Sequence, residues 1–127
     1  MKILKFGGTS VANAQNIKLV LDIVQNKSKH DQLVVVVSAF SIVTDLLQLA
    51  SIKAAANDES YKEIVAEIEK KHLHALKELI PVSEQSSLLS HIKRIINHLE
   101  TLLDGCFLLG ELSPRTTDTI LSFGELL

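Results

Sequence analysis

Cysteine is nearly absent from this sequence. The single thiol, Cys106, cannot close an internal disulfide, which excludes a disulfide-stapled scaffold and gives a reducing cytoplasm as the expected location. Long apolar runs are missing too. None approaches the roughly 18 residues that a membrane span needs, and Lys5 with the glycines behind it interrupts the apolar N-terminus too early for a secretory signal. There is no excess of one charge. Thirteen basic residues against 15 acidic ones leave a formal net charge of -2, so neither nucleic acid nor a membrane surface is an expected partner. Internal repeats, low-complexity tracts and interdomain linkers are also missing. The five histidines do not form a site: His72 and His74 are two apart and point to different sides of a helix, while His91 and His98 are seven apart without a third ligand. No metal site is expected from them.

What is present is apolar residue in quantity, 46% of 127 positions, enough to supply the core of one domain of ordinary size. The most distinctive stretch comes first. Ile3, Leu4 and Phe6 form a short apolar run that reads as a buried strand, ended by Gly7-Gly8 and then by two hydroxyl residues, Thr9 and Ser10. Two glycines remove the side chains that keep an anion away from the backbone, and amides at a helix start point at such an anion. Lys5 adds a positive charge at the strand end. Positioned amides and a cation are what phosphoryl transfer asks of a protein.

Farther along, Val11, Ile17, Val20, Leu21 and Val24 recur at near-helical spacing and predict an amphipathic helix from Ser10 to Asn26, with Ser10 read first as its cap. Leu33 to Val37 is an unbroken aliphatic run, expected as a central parallel strand covered on both faces. A strand-helix-strand order sets Ser38 at the same carboxyl edge as the glycine turn, where open α/β sheets bind ligands. Helices are then predicted from Ile42 to Ala56 and from Tyr61 to Ile80, the second stopped by Pro81. A further helix is expected with Ser83 as its N-cap. Its stripe, Leu88, Ile92, Ile95, Leu99, Leu102, Cys106 and Leu109, alternates by four and three and reads as a helix pair within one subunit, with an intermolecular coiled coil as the alternative. Ser113-Pro114 starts a last helix carrying Ile120, Phe123, Gly124 and Leu127.

Lys5-Phe6-Gly7-Gly8-Thr9-Ser10 near the start methionine resembles the opening of aspartokinases, members of the amino-acid kinase family, and Val11-Ala12-Asn13-Ala14 is most similar to the branch fused to homoserine dehydrogenase. Val35-Val36-Val37-Ser38-Ala39 with Val43-Thr44-Asp45, and Ser122-Phe123-Gly124-Glu125-Leu126-Leu127, resemble two later motifs of that family, in family order. The resemblance implies an α/β fold, with residues 1–127 as the N-terminal portion of a catalytic domain: parallel strands, helices on both faces, a helical hairpin and an incomplete sheet. It also implies that remaining kinase, regulatory and possible dehydrogenase domains lie outside these residues.

The implied reaction moves the ATP γ-phosphoryl group, with Mg2+ carried by the nucleotide, to the side-chain carboxylate of L-aspartate. That is the first step of aspartate-family amino-acid biosynthesis. By the resemblance Lys5 is catalytic; Lys5, Gly7, Gly8, Thr9 and Ser10 bind phosphate; and Ser38, Thr44 and Glu125 bind the amino-acid substrate. Thr44 also reads as an ordinary residue of a helix start. Ile42 departs from the family pattern, which has a small residue there, often glycine, and so leaves the shape of that loop open. A homo-oligomer is implied, with domain-swapped pairing as a property of the 127 residues alone, which are not expected to be active by themselves. Two other readings are a helical assembly module and a kinase acting on a different carboxylate.

Overall fold

Residues 1–127 are described here by a computed structural model. Strand β1 (Lys2–Phe6) leads through a glycine turn into helix α1 (Ala14–Ser28), and β2 (Leu33–Val37) returns beside β1 in parallel, Lys2 opposite Leu33 and Phe6 opposite Val37. An ion pair between Lys2 and Asp31 at 2.7 Å and a bond from the Lys2 amide to the Gln32 carbonyl at 2.8 Å fix the start of this pair. Four helices follow: α2 (Val43–Ala55), α3 (Tyr61–Leu79), α4 (Val82–Leu109) and α5 (Pro114–Leu126).

The core belongs to these last four helices. Its 16 buried residues include Val43, Leu47 and Ala50 of α2, Tyr61, Val65 and Ile68 of α3, Ile96, Leu99 and Leu103 of α4, and Ile120 and Phe123 of α5. Nothing before Val43 enters it. Only α1 packs on β2, so Val34 to Val37 remain 40–56% exposed rather than covered on both faces. Two strands make the sheet, which is incomplete as expected, and a valine strand has little to bury against until more elements join it.

The helix pair is confirmed, since α3 and α4 pack on each other within the chain. The α4 stripe is corrected in detail. Ile92, Leu99 and Cys106 are buried as expected, yet Ile96 and Leu103 are the deeply buried flank, Ile95 and Leu102 are half-buried, and Leu88 and Leu109 are exposed. A 92/99/106 line has apolar neighbours on both sides, and α4 packs against both α2 and α3, so its buried face is wider than one stripe. Ser83 does not cap α4 either. Pro81 stands at the N-cap, Ile80 before it is extended (φ -110°, ψ 132°), and Ser83 lies inside the first turn, where the Pro81 carbonyl accepts from the Glu84 amide at 2.9 Å. Ser113 caps α5 as predicted, its hydroxyl accepting from the Thr116 amide at 3.1 Å with Pro114 next.

Candidate functional site

The glycine turn occupies Gly7 to Ala12. The Gly7 carbonyl accepts from the Ser10 amide at 2.9 Å and the Val11 amide at 3.3 Å, which folds the turn back on itself. The amides of Gly7, Gly8 and Thr9 donate to nothing in the chain. The two glycines serve different ends. A Cβ on Gly7 would meet nothing within 4 Å, whereas one on Gly8 would lie 3.1 Å from the Ala39 carbonyl oxygen and 3.5 Å from the Ser41 nitrogen. Gly8 therefore allows the turn to press on the segment after β2, and Gly7 leaves open space in front of free amides.

Lys5 is exposed on β1, level with Val36, and forms none of the chain's ion pairs, which join Lys2 to Asp31, Lys53 to Asp58, His74 to Glu78 and Lys93 to Glu69. Its charge is uncompensated. Thr9 and Ser10 are exposed. Ser10 is not the helix cap: α1 starts four residues later, and Asn13 caps it, its side-chain oxygen accepting from the Asn16 amide at 2.9 Å. Asn16 in turn donates from Nδ2 to the Thr9 carbonyl at 2.9 Å, tying the helix start to the turn. Ser10 cannot cap because it lies inside the glycine turn, three residues before the N-cap position that Asn13 holds. The signal for Asn13 was in the sequence, an N-cap residue type just ahead of the apolar periodicity, and the Thr9-Ser10 pair masked it.

The second motif begins where β2 ends. Ser38 donates its amide to the Phe6 carbonyl at 3.2 Å, which sets it at the same sheet edge as Gly7. Ala39 is buried, and the chain turns through Phe40, Ser41 and Ile42 into α2, with the Val43 amide bonded to the Phe40 carbonyl at 3.1 Å. Ile42 has φ 66° and ψ -14°, the left-handed region where glycine is at home. A β-branched residue there costs about 1–2 kcal/mol. Thr44 is exposed in the first turn of α2, which has no side-chain cap, and the Thr44 and Asp45 amides donate to nothing in the chain.

The third motif lies on α5. Gly124 is buried, and a Cβ there would sit 3.1 Å from the Ala39 Cβ, 3.3 Å from Leu47 Cδ1 and 3.6 Å from Val43 Cγ1. The missing side chain is what lets α5 lie against α2 and the segment after β2. Glu125 follows, exposed. Ala39 is thus the common neighbour of all three motifs, met at its carbonyl by Gly8 and at its methyl by Gly124. The side chains of Lys5, Ser38, Thr44 and Glu125 share no hydrogen bond or ion pair.

The family model described as the amino acid kinase family matches residues 1–127. The chain belongs to the amino acid kinase family. Among relatives of this chain, a bifunctional aspartokinase/homoserine dehydrogenase 2 of Arabidopsis thaliana chloroplasts is 34% identical over 122 residues, 96% of this chain and 13% of that protein. An aspartokinase of Candida albicans is 33% identical over 130 residues, 97% of this chain and 23% of that protein. Aspartokinase III of E. coli, solved in complex with aspartate and ADP, superposes with a TM-score of 0.80 at 27% identity, covering 98% of this chain and 26% of that one. The chain therefore spans 13–26% of the length of these relatives.

Sequence reasoning missed one group near this site. His72, dismissed as a ligand, is buried on α3, and its ring stacks on Phe40 with centroids 4.6 Å apart and planes 6° apart. Nδ1 lies 2.7 Å from the Ile68 carbonyl, while Nε2 is buried without a partner. Burial pulls this imidazole below the usual histidine range. Cys106 is buried as expected, and burial pushes its thiol up. No helix is long and apolar enough to cross a membrane.

Proposed function

We propose that these residues supply the phosphate turn and the amino-acid side of an aspartate kinase. In it a side-chain carboxylate oxygen of L-aspartate attacks the γ-phosphorus of ATP, the bond to the bridging oxygen breaks, and ADP leaves. The observation that carries the reading is the meeting of the three motifs at Ala39, and it is supported by the free amides of the glycine turn, a lysine in no ion pair and Ser38 at the strand end. The residues present suit a triphosphate: open space in front of Gly7, three free amides and no carboxylate paired to Lys5. ATP supplies the phosphoryl group, and the Mg2+ that accompanies it offsets phosphate charge.

Gly7, Gly8 and Thr9 direct their amides at phosphate oxygens in this reading. Lys5 stabilises charge on the group in transfer, and Ser10 lines the same turn. Ser38 and Thr44 hydrogen-bond aspartate, aided by the free amides at the start of α2, and Glu125 holds its ammonium group. The relatives' names, and the aspartate and ADP in the E. coli aspartokinase III complex, support the assignment. A cytoplasmic enzyme and a homo-oligomer belong to the same proposal. The open valines of β2 offer a second copy of the 127 residues an edge to pair with, and sedimentation of this chain as a monomer at high concentration counts against that pairing.

The test is ATP- and Mg2+-dependent formation of aspartyl phosphate, trapped with hydroxylamine, by the longest natural protein that contains these residues. Lys5→Ala is expected to lower turnover by about 10²–10³-fold, the usual effect of removing one charge-stabilising group. The fold should persist, because Lys5 is exposed and unpaired. Normal turnover without Lys5 would remove it from the catalytic role, and turnover with another carboxylate in place of aspartate would reassign the substrate.

A further inference from the structure

The turn from Ser38 to Thr44 carries a strained residue, and strain of this kind persists only where the surroundings hold it. Ile42 in the left-handed region is itself half exposed, at 51%, so its own side chain does little of the holding. Two neighbours do more. Ala39 is fixed between Gly8 and Gly124, and Val43 is fully buried in the helical core. Between them lies Phe40, whose carbonyl accepts from the Val43 amide and closes the turn. The ring of Phe40 rests on one partner ring, His72.

His72 is well suited to be that partner. It is 3% exposed, and Nδ1 points at the Ile68 carbonyl one helical turn back, so the proton sits on Nδ1 and the ring cannot rotate without losing that bond. The neutral imidazole presents a flat face to Phe40, held by its burial on α3 as well as by that bond. Close packing around the pair is incomplete. An open groove of about 190 Å³ lies beside the stack, lined by Phe40 and His72 together with Leu76, Leu88, Ile92 and Leu127. Phe40 therefore has room to swing if the imidazole is replaced by a side chain without a flat face.

We infer that His72 is a positioning residue for the amino-acid side of the site, holding the Ser38–Thr44 turn in its strained form through the face of Phe40. The inference rests on the kinase reading for its effect on substrate, but not for its effect on the turn. His72→Leu, Phe40→Leu, the double variant and His72→Phe are compared in the longest natural protein that contains these residues. His72→Leu should raise KM for aspartate about three- to tenfold, the factor that one aromatic stack carries, with kcat and KM for ATP within about twofold of the parent. Phe40→Leu should do the same, and the double variant should be no worse than either single one. His72→Phe keeps a flat ring and should stay near the parent value. Hydrogen exchange at the amides of residues 40–43 gives a second readout that needs no activity, and it should quicken in His72→Leu but not in His72→Phe.

An unchanged KM together with unchanged exchange would overturn the inference, as would effects of the two leucine variants that multiply. If the parent protein forms no aspartyl phosphate, the kinase reading fails on its own and the exchange result alone decides the role of His72. If His72→Leu does not fold, Phe40→Leu, which leaves α3 intact, decides it.

Discussion

Replacing Gly124 with alanine tests the meeting of the three motifs directly. Two effects oppose each other. Alanine is the better helix residue by about 1 kcal/mol, and on a free helix the change would stabilise. Here the new methyl would arrive 3.1 Å from the Ala39 Cβ and 3.3 Å from Leu47 Cδ1. Ala39 has no rotatable side chain and can yield only by moving backbone, while Leu47 is fully buried and has little room for its Cδ1 to shift. Overpacking of this kind costs about 1–3 kcal/mol, which leaves a net loss of about 1 kcal/mol, or about 4 °C in Tm for a chain of this size. Urea unfolding of the variant gives the number, and Ala39→Gly in the same background should recover much of it, with a coupling of about 1 kcal/mol. A Gly124→Ala chain as stable as the parent, or more so, would show that helix propensity wins and that α5 is not pinned against Ala39. Additive effects of the two changes would show that Ala39 is not the obstacle.

The same method separates the two candidate caps of α1. Asn13→Ala should cost about 1 kcal/mol, the usual value of a lost N-cap, whereas Ser10→Ala should be near neutral; the opposite ranking in urea unfolding would restore Ser10 to the cap. Tyr61 gives a pH test. Its hydroxyl donates to Asp104 Oδ1, and burial together with that carboxylate pushes its phenol up to about 12. The folded state therefore holds the proton where the unfolded chain, at about 10, has begun to lose it. Stability from this group is complete below pH 10 and drains away as pH rises from about 10 to about 12. Tyr61→Phe should flatten that part of a stability-pH curve, and an unchanged slope there would refute the assignment.

Much of this molecule was legible before any coordinates. Helix types and most boundaries followed from apolar spacing and from Pro81 and Ser113, whereas Gly110, which closes α4 at φ 65°, was not read as a stop. The departure at Ile42 was legible as well: the expectation of a small residue there corresponds to a left-handed backbone that an isoleucine now occupies. Less legible was anything decided by which neighbour wins. Ile96 and Leu103 against Ile95 and Leu102 is a choice made by the helices packed around α4, not by the α4 sequence. Ser10 against Asn13 depended on where the glycine turn ends and the helix begins. The stack of His72 on Phe40 joins residues 32 positions apart, and nothing in either local pattern marks them as a pair. Ala39 looked like filler within a motif, yet two glycines from distant segments are there to approach it.

The boundary of the helical core has a thermodynamic consequence. Residues 43–123 hold all 16 core side chains, while β1, α1 and β2 form a limb outside it, with only α1 packed on β2 and Val34 to Val37 left exposed. Opening the limb alone exposes far less apolar surface than unfolding the helices, so its local free energy of opening is the smaller of the two. The glycine turn rides on that limb, and Thr44 and Glu125 ride on the helices. A ligand that touches both sides is bound only while the limb is docked, so its affinity contains the docking equilibrium, and each tenfold excess of ligand over its Kd adds about 1.4 kcal/mol to the docked state. Substitutions in the two strands then weaken such a ligand without touching it, in proportion to how far they favour the undocked limb.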